Sequence, residues 1–390
     1  MISKNKKISK IINWIYYLCS FLIKKNKNTV VFMSYPDFSD NSLALYKYLK
    51  ENRKELTLIW LATSPSKENI ETYRNVLKKW SLSGILAFCS SATIFHTHGT
   101  YFFVNKKIKN QKIIALWHGM PLKKLGYLKG DSWPEVPFSD YSIATSEFFK
   151  PIIAGTFNIK MPNVVVSGLP RNDILSNPKL IDRNFLLSKL NLQSYNGFIV
   201  WLPTYRKSFI KGLTSDADYQ SFLDEWSDDE WTEINDRLCA KGIKIVIKLH
   251  PADILNSIDI ENKYSNIAVI NSTQWQSVNI DLYSLLAISN GMITDVSSVL
   301  VDYLLTNKPL AMTGKSIQGY NRGLNEGIDI VKQAGVFNIK NITEFNEFIE
   351  ICAAPHNVKL EQKTFGEYHT IGTQSACENL AQMFLCSKDE

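Results

Sequence analysis

Four apolar runs of the chain end in residues that can move a proton or bind a phosphate. A histidine titrates near neutral pH and can act as a general acid or base, and an arginine binds a phosphate through two parallel hydrogen bonds. A single ending of this kind is expected by chance, whereas four of them suggest that these strand ends have a common function. The runs and their endings are 112–117 before His118 and Gly119, 197–202 before the stretch that contains Arg206, 243–249 before His250, and 291–294 before Asp295, Ser297 and Ser298.

Residues 294–305 (TDVSSVLVDYLL) join a strand pattern to a helix pattern. Asp295, Ser297 and Ser298 precede an apolar periodic run, so they are typical helix caps. The free N–H groups of such a helix start, together with serine hydroxyls, would also suit a phosphate. Asp302 lies one helical turn after Ser298 on the same face, where its carboxylate could accept the hydroxyls of a sugar or polyol. This stretch alone does not decide between capping and binding.

The histidines and the arginine each have an ordinary structural alternative. His250 follows an apolar strand pattern and could be a hydrogen-bonded core residue, although Pro251 rigidifies the turn there. Arg206 could form a surface ion pair. His96 and His98 also end a strand pattern and are expected to be structural or to line a cleft. The glycine patterns of dinucleotide folds and P-loops and the zinc motif His-Glu-x-x-His are absent from the sequence, so we predict no dedicated metal ligands.

The elements that must position these residues alternate between short apolar strands and helical patterns. This alternation predicts parallel sheets covered on both faces, in two α/β halves of similar size. We expect two doubly wound domains that face a central cleft, with ligands beyond the carboxyl ends of the strands. The predicted divisions are a basic N-terminal segment 1–28, a first domain 29–170, a linker 171–196, a second domain 197–355 and a helical tail 356–390.

The positive charge of the chain is concentrated at its N-terminus. The net charge is +7, and residues 1–28 contain seven lysines and no acidic residue, so the remaining body is neutral on balance. A neutral body argues against a nucleic-acid partner. Residues 11–23 (IINWIYYLCSFLI) are too short to span a membrane and have a helical periodicity with lysines on both sides. We predict a helix lying on an anionic membrane surface, the alternative being a helix packed on the protein's own core.

The six cysteines are scattered and include no Cys-x-x-Cys pair, which is typical of a protein in a reducing cytoplasm. Together with the basic N-terminal segment, this predicts a protein on the inner face of the cell membrane.

The ordered motifs of residues 30–325 resemble those of the CDP-glycerol glycerophosphotransferases of teichoic-acid and capsule synthesis. Any one of these motifs would be weak evidence, but seven in the same order are specific. They are SYPDFSDNSLALYKYL (34–49), WHGMPLKKLG (117–126), GLPRND (168–173), LPTYR (202–206), KLHP (248–251), TDVSSVLVDYLLTNKP (294–309) and YNRG (320–323).

The resemblance implies a GT-B fold and transfer of glycerol phosphate from CDP-glycerol to a hydroxyl of a membrane-associated glycan or polyol-phosphate acceptor, with release of CMP. It implies that the first domain handles the acceptor and that the second binds CDP-glycerol, without a cofactor apart from Mg²⁺ that could accompany the diphosphate. The size of the chain is similar to that of the single-module members. Carried over by motif, the catalytic residues are His118 and His250, and the substrate-binding residues are Arg206, Thr294, Asp295, Ser297, Ser298, Asp302, Gly119 and Arg322.

On this basis we expect His118 to be the general base near the acceptor, with His250 and Arg206 at the diphosphate, although the two histidines could have the opposite roles. The sequence departs from the family pattern at Met120, Val296 and Leu202, which affects substrate preference more than chemistry. The alternatives are a CDP-ribitol or nucleotide-sugar transferase, a UDP-sugar epimerase of the same fold, and a non-catalytic membrane-bound assembly protein. The sequence does not identify the acceptor or say whether one unit or a polymer is made.

Overall fold

The protein is described here from a computed structural model. The structure describes residues 13–14, 16–18, 20–73, 75–130, 136–203, 226–249, 263–313, 325, 327–328, 334–354, 365–370 and 375–386. Contacts divide the chain into two compact units. The first comprises Met1–Pro121, Leu125–Asp173 and Glu367–Glu390, and the second comprises Leu122–Lys124 and Ile174–Gly366.

The first unit is built on a seven-stranded sheet in the order β3-β2-β1-β4-β5-β6-β7, and all its recorded strand pairs are parallel. Its middle strands are buried almost throughout because helices cover both faces, which explains their near-continuous apolar sequences. The strands are β1 Asn26–Met33, β2 Thr57–Ala62, β3 Val76–Lys78, β4 Ser91–His96, β5 Lys112–Ala115, β6 Tyr141–Ala144 and β7 Val164–Val166.

The second unit is built on a six-stranded parallel sheet in the order β10-β9-β8-β11-β12-β13. The chain reverses its direction of strand addition between β1 and β4 in the first sheet and between β8 and β11 in the second. Such switch points are where doubly wound sheets bind ligands. The strands are β8 Gly197–Leu202, β9 Ile243–Lys248, β10 Ile267–Ile270, β11 Gly291–Thr294, β12 Leu310–Thr313 and β13 Phe337–Ile339.

Helices connect many of the successive strands, whereas β4 is joined to β5 without a helix and β5 to β6 through a 3-10 turn. The α-helices are α1 Asp40–Asn52, α2 Lys67–Tyr73, α3 Leu82–Ser90, α4 Phe149–Phe157, α5 Asp173–Ser176, α6 Arg183–Lys189, α7 Asp228–Lys241, α8 Ser272–Val278, α9 Leu282–Ile288, α10 Val299–Tyr303, α11 Ile342–Ala353, α12 Phe365–Tyr368 and α13 Ala376–Leu385. The 3-10 turns are Gly126–Lys129, Met161–Asn163, Pro170–Asn172, Pro178–Leu180 and Leu304–Thr306.

The predicted fold class, two doubly wound parallel sheets, is confirmed, and the four apolar runs of the sequence analysis contain the strands β5, β8, β9 and β11. The strands β3, β7 and β13 have only three residues each and lie at sheet edges. Residues 174–196, expected as a linker, belong to the second unit.

The end of the chain, Glu367–Glu390, belongs to the first unit. Asp173 caps the start of α13, since its carboxylate accepts hydrogen bonds from the Ser375 hydroxyl at 2.7 Å and from the backbone N–H groups of Ala376 at 2.7 Å and Cys377 at 3.1 Å. The side chain of Phe384 meets the ring of Phe95 in β4, with centroids 6.3 Å apart. The helix thereby joins the hydrophobic core of the first unit.

The N-terminal helical segment, defined here as the described residues between 13 and 22, has two different faces. Tyr16 is buried in a cluster of the first unit, and its ring contacts Phe88 and Phe103. The opposite face is apolar and exposed, and a membrane contact of this face stays a prediction. The exposed side chains are Trp14, Leu18, Phe21 and Leu22.

Within the described part of the chain, no helix is both long enough and apolar enough to cross a membrane. The described cysteines Cys89, Cys239, Cys352, Cys377 and Cys386 are all free thiols.

Candidate functional site

The chain turns sharply after β5, and His118 lies on the turn. The sheet ladder continues for one residue, since the Leu116 N–H donates to the His96 carbonyl oxygen at 2.7 Å. Trp117 then has a φ of 50°, which is uncommon for a bulky residue, and Gly119 has a φ of 137°. The turn places His118 at the carboxyl edge of the sheet, next to the end of β4 at the switch point.

Three polar side chains hold this turn. Arg171 donates from Nη2 to the His118 carbonyl oxygen at 2.9 Å, and its Nη1 pairs with Asp40 Oδ1 at 2.7 Å. Asn41 donates from Nδ2 to the Trp117 carbonyl oxygen at 2.9 Å and accepts from the backbone N–H of Arg171 at 3.1 Å. The carbonyl oxygens of Trp117 and His118 therefore both accept side-chain hydrogen bonds. These contacts hold the backbone in its strained left-handed conformation, which persists only where surrounding structure imposes it.

The imidazole of His118 lies in a packed, largely desolvated position. Its ring stacks on that of His98, with centroids 4.3 Å apart and planes 11° apart, and the Trp117 ring lies 3.8 Å away. Burial, followed by the charges of His98 and Arg171, lowers the pKa of His118 well below its ordinary value. Its buried Nδ1 has no hydrogen-bond partner among the described residues. The lowered pKa keeps the ring neutral at pH 7.

The two histidines of β4 and its end have different surroundings. His96 accepts from the Gly99 N–H at Nδ1 and donates from Nε2 to the Ser139 hydroxyl at 2.8 Å, so both ring nitrogens are used. Burial lowers the pKa of His96 to about 3, which keeps it neutral and structural. His98 bonds to the Thr97 hydroxyl at 2.9 Å, and burial also lowers its pKa. It contacts His118 directly and belongs to the candidate site.

In the second unit, the end of β11 lies beside the end of β8 at the switch point. Thr294 is fully buried and donates to the Leu202 carbonyl oxygen at 2.6 Å, so its hydroxyl ties the two strands together. Asp295 is also buried, and its carbonyl oxygen accepts from the Ser297 N–H at 2.8 Å. Ser297 and Ser298 are half-buried, and the structure gives neither hydroxyl a hydrogen bond within its described part. These two hydroxyls are the groups of this loop that a ligand could reach.

Asp302 lies in α10 on the inner side of the helix. Its side chain is fully buried, and its Oδ2 accepts from the Tyr283 hydroxyl at 2.6 Å. The contact joins α9 to α10 and supports the loop that precedes α10. The expectation that Asp302 binds substrate hydroxyls stays a prediction.

Three predicted site residues, Arg206, His250 and Arg322, lie outside the described residues. Within the described ranges, no cluster of three or more histidine, cysteine or acidic side chains could hold a metal ion.

Sequence reasoning did not assign roles to Asp40, Asn41 and Arg171. Asp40 and Asn41 have the pattern of an ordinary helix start, and Arg171 lies in a segment that was used as a domain boundary. These residues lie in separate motifs, and their meeting point at His118 depends on contacts across as many as 131 residues of sequence.

The sequence pattern of the family described as CDP-Glycerol:Poly(glycerophosphate) glycerophosphotransferase matches residues 15–362. The chain is 28% identical over 315 residues to the teichoic acid poly(glycerol phosphate) polymerase of Staphylococcus epidermidis, an alignment that covers 76% of this chain and 41% of that protein. It is 26% identical over 385 residues to the teichoic acid glycerol-phosphate transferase of Staphylococcus aureus, covering 88% of this chain and 92% of that protein. The chain thus spans less than half of the first relative and nearly all of the second.

The fold is similar to that of a solved structure of the wall teichoic acid polymerase TagF. The TM-score is 0.69 at 20% sequence identity, and the superposition covers 97% of this chain and 94% of that one. At this identity the likeness establishes the fold, which agrees with the predicted GT-B class.

Proposed function

The chain belongs to the CDP-glycerol:poly(glycerophosphate) glycerophosphotransferase family, and from that premise we propose that it transfers glycerol phosphate from CDP-glycerol to an acceptor hydroxyl and releases CMP. The acceptor we propose is a membrane-associated glycan or polyol phosphate of a teichoic-acid-like or capsule-like polymer. The two similar proteins named above support this chemistry. One is named a polymerase and the other a transferase, so the number of units that this chain adds is a question for experiment.

The observation that carries the proposal is the state of His118. A general base must be unprotonated at working pH and must have a free lone pair. Burial and two neighbouring basic side chains keep the His118 imidazole neutral, while Arg171 fixes its backbone. The family's Trp-His-Gly motif therefore forms, in this chain, a rigid turn that presents a neutral imidazole.

In the proposed reaction the acceptor hydroxyl attacks the β-phosphorus of CDP-glycerol. His118 takes the hydroxyl proton as the new oxygen–phosphorus bond forms. The bond between the β-phosphorus and the bridging oxygen breaks, and CMP leaves with the electron pair. Because CMP is a stabilised leaving group, the protein's main tasks are to position the reactants and to balance charge on the phosphates.

On the donor side, we propose that the hydroxyls of Ser297 and Ser298 bind the diphosphate together with His250 and Arg206. Thr294 and Asp295 would act by shaping the loop, since both are buried.

We propose that the remaining predicted residues contact substrate less directly. Asp302 would contact the glycerol hydroxyls, or support the donor loop through Tyr283. Gly119 would allow substrate to approach the turn closely, and Arg322 would add a positive charge.

We propose that the enzyme has no resident metal ion and that Mg²⁺, where present, accompanies the diphosphate. Activity after treatment with EDTA, with and without added Mg²⁺, tests this directly. The neutral body of the chain also favours a polymer acceptor over nucleic acid.

We propose that the protein works on the inner face of the cell membrane, attached by its N-terminal helical segment. The exposed apolar face of that segment supports this placement, because an apolar surface beside lysines suits an anionic bilayer surface.

The test is a CMP-release assay on the purified protein, with anionic vesicles that carry a glycerol-phosphate-primed lipid-linked acceptor. We expect release from CDP-glycerol and at least ~10-fold slower release from CDP-ribitol. Faster release from CDP-ribitol would reassign the donor, and turnover of a UDP-sugar alone would indicate an epimerase or a sugar transferase. Absence of turnover with every donor would favour the assembly-protein alternative.

A further inference from the structure

Lys248 is the last residue of β9, and it is half-buried. Its ammonium group lies 5.2 Å from the ring centroid of Trp275, which belongs to the first turn of α8. Because α8 follows β10 directly, this turn lies at the carboxyl edge of the sheet. The lysine and the tryptophan therefore form a pair at the edge where doubly wound sheets bind ligands.

The strand register places Lys248 close to the donor-binding loop. Thr294 of β11 pairs with Leu202 of β8, and the pairing of Trp201 with Ile247 makes Lys248 the next neighbour of Leu202. The three residues occupy one row on adjacent strands, so their side chains project from the same face. Because neighbouring strands are roughly 4.8 Å apart, the Cα atoms of Lys248 and Thr294 are about 10 Å apart.

The environment of Lys248 differs from that of the other partly buried lysines. Burial lowers the pKa of Lys25, Lys79 and Lys308, but each of these ammonium groups donates to a backbone carbonyl oxygen. Burial lowers the pKa of Lys248 to about 8, and within the described part of the chain it has neither a carbonyl nor a carboxylate partner.

Lys248 is half-buried, so its ammonium group is partly desolvated while no described protein oxygen accepts a hydrogen bond from it. Partial desolvation of a charge has a cost, and contact with an aromatic face offsets only part of it. An apolar side chain would fill the same position of β9 without this desolvation cost. The position is therefore better explained by an anion that arrives with the substrate.

We propose that Lys248 binds a phosphate group of the nucleotide donor, with the ring of Trp275 holding its ammonium group in place. The inference rests on the proposed function, since it takes the donor to be a nucleoside diphosphate compound. A phosphate oxygen would supply a charge-assisted hydrogen bond to this half-buried ammonium group, which no described protein oxygen supplies. Lys248 would then be a binding residue next to the loop of Ser297 and Ser298.

The experiment compares Lys248→Met with Lys244→Met by calorimetric titration of CDP-glycerol and of cytidine. Lys244 is a matched control because it lies on the same strand and the same face, with its ammonium group 5.0 Å from the Tyr195 ring centroid, but at the amino end of the strand. We expect Lys248→Met to weaken CDP-glycerol binding by about 10- to 100-fold. Cytidine has no phosphate, so its affinity should stay within about twofold, as should both affinities in Lys244→Met.

Each outcome of these titrations either supports or overturns the binding role of Lys248. Equal CDP-glycerol affinity in Lys248→Met and wild type would overturn the inference while the proposed function stands. Equal losses of cytidine and CDP-glycerol affinity would also overturn it, because they indicate a structural role. If the wild-type protein neither binds CDP-glycerol nor releases CMP from it, the proposed function fails and this inference fails with it. Thermal melting of Lys248→Met should match or exceed that of the wild type, since the substitution replaces a partly desolvated ammonium group with an apolar side chain.

Discussion

Arg171 fixes the backbone of His118, since its Nη2 donates to the His118 carbonyl oxygen at 2.9 Å. The same guanidinium pairs with Asp40 at 2.7 Å, so the first turn of α1 and the Pro170–Asn172 turn meet at the end of β5. Arg171 does not need to touch substrate to affect the reaction. It determines where the imidazole lies, and the positive charge that it brings helps to keep that imidazole neutral.

Arg171→Lys should lower kcat by at least ~10-fold while leaving the KM for CDP-glycerol within about twofold. Lysine keeps the charge but cannot bond Asp40 and the His118 carbonyl oxygen in one planar arrangement. Steady-state CMP release measures both constants. Arg183→Lys is the control, because Arg183 also donates to a carbonyl oxygen, that of Ile288, but in the second unit. An unchanged kcat in Arg171→Lys would show that the turn at His118 keeps its conformation without the Arg171 contacts.

The acid limb of kcat/KM should lie below pH 6.5 and should move to higher pH in His98→Asn. A lowered pKa means that His118 stays unprotonated as the pH falls, so activity is lost only below its ordinary pKa of 6.5. Removing His98 removes a positive neighbour and admits water, and both changes raise the pKa of His118. A pH–rate profile of each protein measures the shift. A limb that stays in place, or that moves to lower pH, would contradict the assignment of His118 as base.

Asp173→Ala should release the C-terminal helix from the first unit. The carboxylate accepts three hydrogen bonds at the start of α13, so its loss should lower the free energy of unfolding by about 2 kcal/mol. Urea unfolding measures the change, and limited proteolysis should cleave before residue 376. Asp182→Ala removes an ordinary cap of α6 and should cost about 1 kcal/mol without exposing that cleavage site. Equal protease resistance of the two variants would argue against the capping role.

Phe21→Ser combined with Leu22→Ser should reduce co-sedimentation with anionic vesicles by at least ~10-fold. These side chains are 81% and 74% exposed, and each apolar side chain contributes about 1.5–3 kcal/mol when it enters a bilayer. Leu180→Ser is the matched control, because Leu180 is 77% exposed but lies in the second unit. Binding that does not change in the double variant would remove the N-terminal helical segment from the membrane contact.

The sequence predicts the sheets well because their strands are buried on both faces and are therefore continuous apolar runs. It also places His118 at a strand end, since the polarity changes abruptly there. It does not predict the positive φ of Trp117, because a bulky residue rarely adopts that conformation and only tertiary contacts impose it. Asn41 and Arg171 supply those contacts from 76 and 53 residues away along the chain.

Helical spacing does not reveal the contacts of the loop between β11 and α10. The carboxylate of Asp302 accepts a hydrogen bond from the Tyr283 hydroxyl, and the Thr294 hydroxyl donates to the Leu202 carbonyl oxygen of the neighbouring strand. A single sequence does not identify these partners, because they lie on other elements of the fold. The substrate-binding roles expected of Asp302 and Thr294 stay predictions.

The most direct test of the account is CMP release by His118→Asn, with CDP-glycerol binding titrated on the same preparation. Asparagine is smaller and polar and cannot accept the proton of an attacking hydroxyl. We predict that release falls by at least ~100-fold while the affinity for CDP-glycerol stays within about twofold of wild type. A variant that still turns over at more than a tenth of the wild-type rate, or one that loses CDP-glycerol binding, would contradict the role of His118 as the base that activates the acceptor.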